Sequence, residues 1–458
     1  MKEVSKNLMM ALIAQVISLL ASTVMSLVVP KFLSIEQYAY WQLFLLYNSY
    51  VGFFLFGLNG GIYLKEGGKK RKDIDKVNIG NQIRFGVIAQ VVFSVILLLY
   101  VIFFVKDENR GFVYVSTVIY LVISNTNDLF GYLFQAVNET RLFSLATTID
   151  RFLYLLGLVI FVGLNVTSFE PYIIMYICTK FIALSFSLYN GRDLIFVKKI
   201  PFKTLQKDIF DNIKIGLKLS ISTIAGSLIL GSARFLIDAN MGLETFGKVS
   251  FSLSLASFIL VFSSQFAMVL FPELRRKKEN NLTKSFLKIN NLLSLMLPAV
   301  YLLYYPVCFI IEAWLPQYKD SLAYLGILLP LCVYDGKMNL VGTTYFKVLR
   351  LETRLLVVNL VSMISSFILE AVSCFFYKNV SMVLIMAVLI IIIRSCYSEF
   401  YFYKKFNLKR DISITAEFVL AILFYISLIN FSIGIILLLI AYMTYMFKYR
   451  VVLKGIKS

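Results

Sequence analysis

Residues 83–105 read IRFGVIAQVVFSVILLLYVIFFV, and from Phe85 onward the run carries no charge. About 20 predominantly apolar residues, rising 1.5 Å each in a helix, cross the ~30 Å hydrocarbon layer of a bilayer. The apolar side chains are continuous rather than alternating, so the run is a helix and not a barrel strand. Working outward from it, similar stretches lie near 8–29, 40–64, 112–136, 142–165, 171–190, 213–237, 247–272, 289–311, 322–346, 355–377, 380–402, 413–430 and 432–447. The chain of 458 residues is 59% hydrophobic and only 16% charged, with a mean hydropathy of +0.80. Soluble domains carry roughly 25% charged residues. The sequence therefore predicts an all-α polytopic membrane protein of about 14 transmembrane helices. The separation of the last two, at Asn430–Ser432, rests on the least sequence.

Lys and Arg number 45 against 26 acids, a net charge of +19. The basic residues gather in short connectors, as the positive-inside rule requires of cytoplasmic loops. With the N-terminus cytoplasmic, 33 of the 45 fall in cytoplasmic segments and 6 in outside loops. A miscounted early span would exchange all later loops, so the asymmetry predicts fourteen spans with both termini cytoplasmic. No basic domain exists to hold nucleic acid, which is excluded as a partner. Cys178, Cys308, Cys332, Cys374 and Cys396 all lie in apolar stretches without a CxxC pair and read as small buried hydrophobes. The chain has no histidine, which removes His-based catalysis and the commonest metal ligand. No enzyme activity, metal or bound cofactor is expected. The first stretch is too long for a signal-peptide core and reads as an uncleaved span.

Two short matches indicate an internal repeat. Leu33-Ser34-Ile35-Glu36-Gln37-Tyr38-Ala39 follows the first span, and Met241-Gly242-Leu243-Glu244-Thr245-Phe246-Gly247 follows the seventh. Tyr132–Leu142, YLFQAVNETRL, and Tyr345–Leu355, YFKVLRLETRL, close the fourth and tenth. Six spans per repeat give both halves one orientation, related by a pseudo-two-fold axis along the membrane normal with the transport path between them. The expected organisation is an N-terminal six-helix lobe at 1–190, a basic cytoplasmic connector at 191–212, a C-terminal six-helix lobe at 213–402, and a terminal helix pair with a basic tail at 403–458.

Together these residues resemble the multidrug/oligosaccharidyl-lipid/polysaccharide (MOP, MATE-like) exporter superfamily. The setting VVPKFLSIEQYAYWQLF is similar to its turn after the first span, and Phe271-Pro272-Glu273-Leu274 also resembles it. Within the superfamily, Gly57-Leu58-Asn59-Gly60-Gly61-Ile62-Tyr63-Leu64-Lys65-Glu66-Gly67-Gly68 looks like the second span of Wzx-type polysaccharide and O-antigen flippases. The second turn ends Phe246-Gly247-Lys248 where the first ends Tyr38-Ala39-Tyr40, so the lobes have diverged. The resemblance implies transfer of an undecaprenyl-pyrophosphate-linked oligosaccharide from the cytoplasmic to the outer leaflet of a bacterial inner membrane, for O-antigen, capsule or exopolysaccharide synthesis. It implies membrane lipids, a polysaccharide polymerase and a chain-length regulator as partners, and coupling to a proton or sodium gradient. The competing readings are a MATE-type small-molecule exporter, a lipid II flippase, and a membrane glycan polymerase or acyltransferase. The last would show a large outside loop or a His or Asp catalytic motif.

A charge near mid-membrane costs about 2.5–3.5 kcal/mol on insertion scales and so requires a reason. Arg151, Lys180, Lys337 and Arg394 are the candidate cations for a pyrophosphate, Arg as a fork and Lys as a point charge; the alternative is internal ion pairing. Asp150 and Arg151 are adjacent and are expected to need separate partners. Asp128, Asp335 and Glu370 are the candidate ion-coupling carboxylates. Lys218, Arg234, Asp238 and Glu399 lie nearer span ends, where long side chains snorkel. Arg234 and Asp238 have the i,i+4 spacing of a helix pair. Asn48, Asn59, Asn125, Asn127 and Asn339 suit sugar hydroxyls, or interhelical hydrogen bonds. Glu36 and Glu244 occupy equivalent outside turns, expected to gate the path where the lobes meet. As an alternative they are helix caps with Ser34 as N-cap.

Overall fold

Long apolar runs punctuated by Asp, Asn, Ser and Gly give helices closed by caps, and that is what the computed structural model contains. It describes residues 2–275, 279–408 and 413–455. Arg276, Lys277, Lys278, Lys409, Arg410 and Lys457, counted above among the cytoplasmic charges, lie outside the described residues. The principal helices are α1 Lys2–Leu27, α2 Ile35–Asn48, α3 Leu58–Glu66, α4 Lys76–Phe104, α5 Glu108–Ala136, α6 Thr140–Gly163, α7 Glu170–Asn190 and α8 Phe202–Met241. They continue as α9 Leu243–Arg275, α10 Glu279–Met296, α11 Val300–Trp314, α12 Ser321–Lys337, α13 Glu352–Val372, α14 Val380–Lys405, α15 Ser413–Ile429 and α16 Phe431–Gly455. Asp75, Asp107 and Asn379 cap α4, α5 and α14 by accepting from the backbone N–H three residues on. Ser34 caps α2 in the same way, accepting from Gln37 N at 3.3 Å.

The chain divides into two compact units, Met1–Ile224 and Ala225–Ser458, with the division inside α8. In the first, α5 is central and packs on α2, α3, α4, α6 and α7, while α1 lies along α6. In the second, α12 packs on α9, α11 and α14, and α15 and α16 pack on each other and on α10. Only Asn430 separates α15 from α16. A Cβ on Gly434 would meet the backbone of Ser427, so the two helices touch where the chain reverses.

Eight described helices are long and apolar enough to cross a membrane, nine if the bent pair α2–α3 counts as one. Fourteen is not reached on that criterion. The central helices α5 and α12 are not among them; they carry Ser124–Asp128 and Asp335–Lys337, polar groups that a helix packed against other helices holds away from lipid. In the terminal pair the described apolar stretches, Ile414–Ile429 and Gly434–Phe447, are shorter than the criterion requires.

The stretch near 40–64, expected as one span, is broken. Its two parts are bent by 57° at Phe56 and Gly57, which both take left-handed conformations, φ 48° and 82°. A left-handed non-glycine costs about 1–2 kcal/mol, and the break frees carbonyls that lipid cannot satisfy. Neighbouring side chains answer them: Gln90 Nε2 donates to Phe54 O at 2.6 Å and Asn125 Nδ2 to Val51 O at 2.9 Å. Beyond the break, α3 lies directly on α8. A Cβ on Gly57 would strike Gly216, and one on Gly61 would strike Asn212.

Both members of the first sequence match begin a helix at the same position. Tyr38 N donates to Ser34 O at 2.9 Å, and Phe246 N to Gly242 O at 3.1 Å, in register with the first sequence match. The second match is one residue out. Glu139 N donates to Phe134 O past left-handed Asn138, and Leu351 N donates to Phe346 O past left-handed Arg350. Glu139 thus precedes α6, whereas Glu352 begins α13, so the shared Glu-Thr-Arg letters do not mark equivalent positions.

Candidate functional site

In the first unit α6 and α7 bring Asp150, Arg151, Tyr176, Thr179 and Lys180 together. Asp150 Oδ1 accepts from Thr179 Oγ1 at 3.1 Å. Its Oδ2 lies 3.9 Å from both Arg151 Nε and Lys180 Nζ. The expectation of separate partners for Asp150 and Arg151 is replaced by one carboxylate shared, loosely, between two cations. Arg151 Nη1 donates to Tyr176 OH at 3.3 Å, with its guanidinium carbon 5.5 Å from that ring's centre. Tyr176 is itself ringed by Trp41, Phe44, Tyr120 and Tyr154, with centroids 5.1–5.8 Å away. Trp41 Nε1 and Tyr154 OH have no hydrogen-bond partner among the described residues. Asp128 makes no hydrogen bond or ion pair among the described residues, and the charges of Lys180 and Asp150 reach it.

The donors of the two cations are largely unspent. Arg151 uses one N–H, and Lys180 makes no hydrogen bond among the described residues. Their side chains keep 27% and 14% of their surface exposed. An anion able to replace water at these donors would meet a planar fork and a point charge on one turn of two adjacent helices.

In the second unit Lys337 and Arg394 pair with carboxylates. Lys337 Nζ is 2.7 Å from Glu399 Oε2 and 2.8 Å from Glu417 Oε1, and the three side chains are 3%, 7% and 1% exposed. Glu399 is therefore a buried ion partner and not a snorkelling residue. Glu417, on α15, was missed by the sequence reading. The signal was available, since it is the sole charge of an apolar stretch, but it lies close to that stretch's end. Arg394 pairs with Asp335, which also accepts from Asn339 Nδ2 at 3.0 Å. Glu370 is fully buried and accepts from Ser232 Oγ at 2.6 Å and Ser366 Oγ at 2.5 Å. Arg234 donates to Ser250 Oγ and lies over Phe246.

Of the remaining polar candidates, Asn125 is fully buried and bonds Val51 O and Gln90 Oε1. Asn127 Oδ1 accepts from Ser187 Oγ at 2.8 Å. Asn59 turns onto the backbone N–H of Gly60. Asn48 has both amide atoms buried without a partner. Glu36 is exposed, and Glu244 is 3.2 Å from Lys248, which also reaches Asp320.

On the connector side of the first unit, Arg71 donates to Glu139 at 2.7 Å, to Asp193 at 2.5 Å and to Asn190 O. Burial pushes the Asp193 carboxyl up, but Arg71 and Lys76 outweigh it and hold the group below its ordinary range.

The all-helical, multi-pass chain is similar in fold to transporters of the MOP superfamily. A multidrug resistance MATE family transporter of that superfamily, in an inward-facing conformation, matches with a TM-score of 0.64 at 13% identity over 87% of this chain and 98% of its own. The lipid II flippase MurJ, in an inward closed conformation, matches with a TM-score of 0.66 at 12% identity over 97% of this chain and 99% of its own. An outward-facing MATE family transporter matches with a TM-score of 0.56. No family model and no curated protein sequence matches the chain.

Proposed function

We propose that the chain is a flippase that carries an undecaprenyl-pyrophosphate-linked oligosaccharide across the bacterial inner membrane by alternating access, delivering repeat units for surface polysaccharide. The observation that carries this reading is the pair Arg151 and Lys180, whose donors are unspent beside an aromatic wall. A pyrophosphate presents several anionic oxygens to such donors, and sugar faces stack on aromatic rings. Lys337 and Arg394 are committed to carboxylates within their own unit and serve its packing. The MurJ match extends over 97% of this chain where the multidrug transporter match extends over 87%. The MurJ fold thus extends over a share of the chain that the multidrug transporter fold leaves out.

Deleting the gene in its host and measuring surface glycan and lipid-linked intermediates tests the reading. The expected result is loss of surface glycan with accumulation of lipid-linked repeat units, restored by the wild type and not by the Arg151→Ala, Lys180→Ala double variant. Normal surface glycan with new sensitivity to drugs would refute it in favour of a small-molecule exporter. Arrested growth with accumulated lipid II would assign the cargo to cell-wall precursor.

A further inference from the structure

The connector between α7 and α8 holds aromatic rings away from the protein. Phe196 is 86% exposed, Phe202 50% and Phe210 56%. A loose loop does not explain this, because the backbone here is fastened to α4. Arg84 Nη2 donates to Ile195 O at 3.1 Å, and Asn81 Nδ2 donates to Lys198 O at 2.8 Å. Ile200 N donates back to Asn81 Oδ1 at 3.2 Å. Leu194 and Leu205 point inward and are buried. The exposed rings therefore belong to a fixed surface, and a cluster of exposed apolar side chains marks a place of contact.

The first turns of α8 sort their residues in the same way. Leu205, Ile209, Asn212 and Gly216, spaced by four, three and four, share a face and are buried. Through Asn212 and Gly216 that face meets Gln82 of α4 and Gly57 and Gly61 at α3. Lys203, Lys207, Phe210 and Lys214 repeat the spacing two residues out of phase, so they share the opposite face, and all four are exposed. The nearby acids are spent elsewhere. Asp193 answers Arg71 and Lys76, and Asp208 answers Lys65 at 3.1 Å. The side chains of Lys198, Lys199, Lys203, Lys207 and Lys214 make no hydrogen bond or ion pair among the described residues.

Contacts with α4 set the depth of this surface. Phe202 stacks on Phe85 with ring centroids 5.5 Å apart, and Phe85 is where the uncharged run of α4 begins. Asn78 donates to Asp208 at 2.6 Å, and Asn212 donates to Gln82 at 2.7 Å. From Phe202 to Asn212 α8 advances ~15 Å, yet its partners on α4 stay between Asn78 and Phe85. The helix thus crosses α4 at the border of the apolar run instead of climbing out along it. A face in hydrocarbon would carry the rings without the lysines, and a face in water the lysines without the rings. Only the headgroup layer takes both. We propose that the connector and the first three turns of α8 are a docking surface for acidic phospholipid headgroups of the leaflet they face. The lysines meet the phosphates while Phe196 and Phe210 enter the boundary with the acyl chains. The surface lies within the first unit and is separate from Arg151 and Lys180. Lipid bound there holds α8 against α3 and α4.

The test uses the purified full chain and requires no transported substrate, so it stands or falls apart from the flippase reading. Protein in detergent is titrated with phosphatidylglycerol and, in parallel, with phosphatidylcholine, and melting temperature and retained lipid are measured. Phosphatidylglycerol is expected to raise the melting temperature saturably, and phosphatidylcholine to leave it near its starting value. Each basic side chain near an anionic surface is worth roughly fivefold in affinity. Lys198→Gln, Lys199→Gln, Lys203→Gln and Lys207→Gln combined are therefore expected to weaken phosphatidylglycerol binding about 100-fold or more. Arg at the same four positions is expected to retain it. Lys70→Gln with Lys72→Gln, which removes exposed charges from the loop before α4, is expected to bind as the wild type does. In vesicles of brominated phosphatidylglycerol, Phe196→Trp is expected to add fluorescence that the lipid quenches. Equal binding of the two lipids, or undiminished phosphatidylglycerol binding in the four-Gln variant, overturns the proposal. So does an equal loss in the Lys70 and Lys72 variant, or unquenched fluorescence from residue 196.

Discussion

Removing one ammonium from each unit, by Lys180→Ala and by Lys337→Ala, has opposite expected consequences. Lys180 makes no hydrogen bond among the described residues and stands 3.9 Å from Asp150, which keeps Thr179 and Arg151 when the lysine is gone. A loose, part-exposed pair of this kind contributes about 1 kcal/mol or less, so protein level and melting temperature stay close to wild type. A charge-assisted hydrogen bond to an anionic substrate is worth about 1.5–3 kcal/mol, and its loss lowers affinity about 10- to 150-fold. Lys337 is different, since its loss leaves Glu399 and Glu417 buried without a cation. Breaking a buried pair costs about 3–5 kcal/mol, a large part of the roughly 5–15 kcal/mol that holds a domain folded. Melting followed by size-exclusion chromatography, with glycan export measured in the same strains, separates the two. Lys180→Arg and Arg151→Lys are expected to retain partial export if the role is electrostatic. A collapse of the Lys180→Ala fold, or full export by that variant at normal level, would refute the assignment of the cluster to substrate.

Three further outcomes follow from the first unit. Gly216→Val drives a branched side chain into Gly57 and Gly61, and the variant is expected to be lost from the membrane fraction, whereas Gly163→Ala, with open space around it, is expected at normal level. Gln90→Leu leaves Phe54 O and Asn125 without a donor and an acceptor; the melting temperature is expected to fall, by the equivalent of about 1–3 kcal/mol per orphaned group. Because Asp193 is held below its ordinary range, its contribution is present above the unfolded value near about 4 and is lost as pH falls through the lower folded value. Wild-type stability is therefore expected to drop on acidification below about pH 4, and Asp193→Asn to flatten that drop. A parallel curve in the variant would place the acid sensitivity elsewhere.

The helical membrane class was legible in the sequence because lipid imposes a one-dimensional rule: enough consecutive apolar residues, with backbone bonds closed inside the segment. The turn at Ser34 was legible for the same local reason, since a cap involves residues three apart. What the sequence could not show was which buried charges are spent. Arg151, Lys180, Lys337 and Arg394 look alike as lone cations in apolar runs, yet Lys337 meets a glutamate 62 residues away and another 80 away. Lys180 meets, among the described residues, a single shared aspartate. Asn125 looked like a sugar contact and instead secures a break at Phe56–Gly57 that hydropathy reads as one uninterrupted span. Even the Glu-Thr-Arg match slipped by one residue against the backbone, because letters align by identity and turns by hydrogen bonds. Local chemistry fixes where a helix begins and that it enters the membrane. Which charge answers which is decided by helix packing between residues far apart in the chain, and only the tertiary structure contains that.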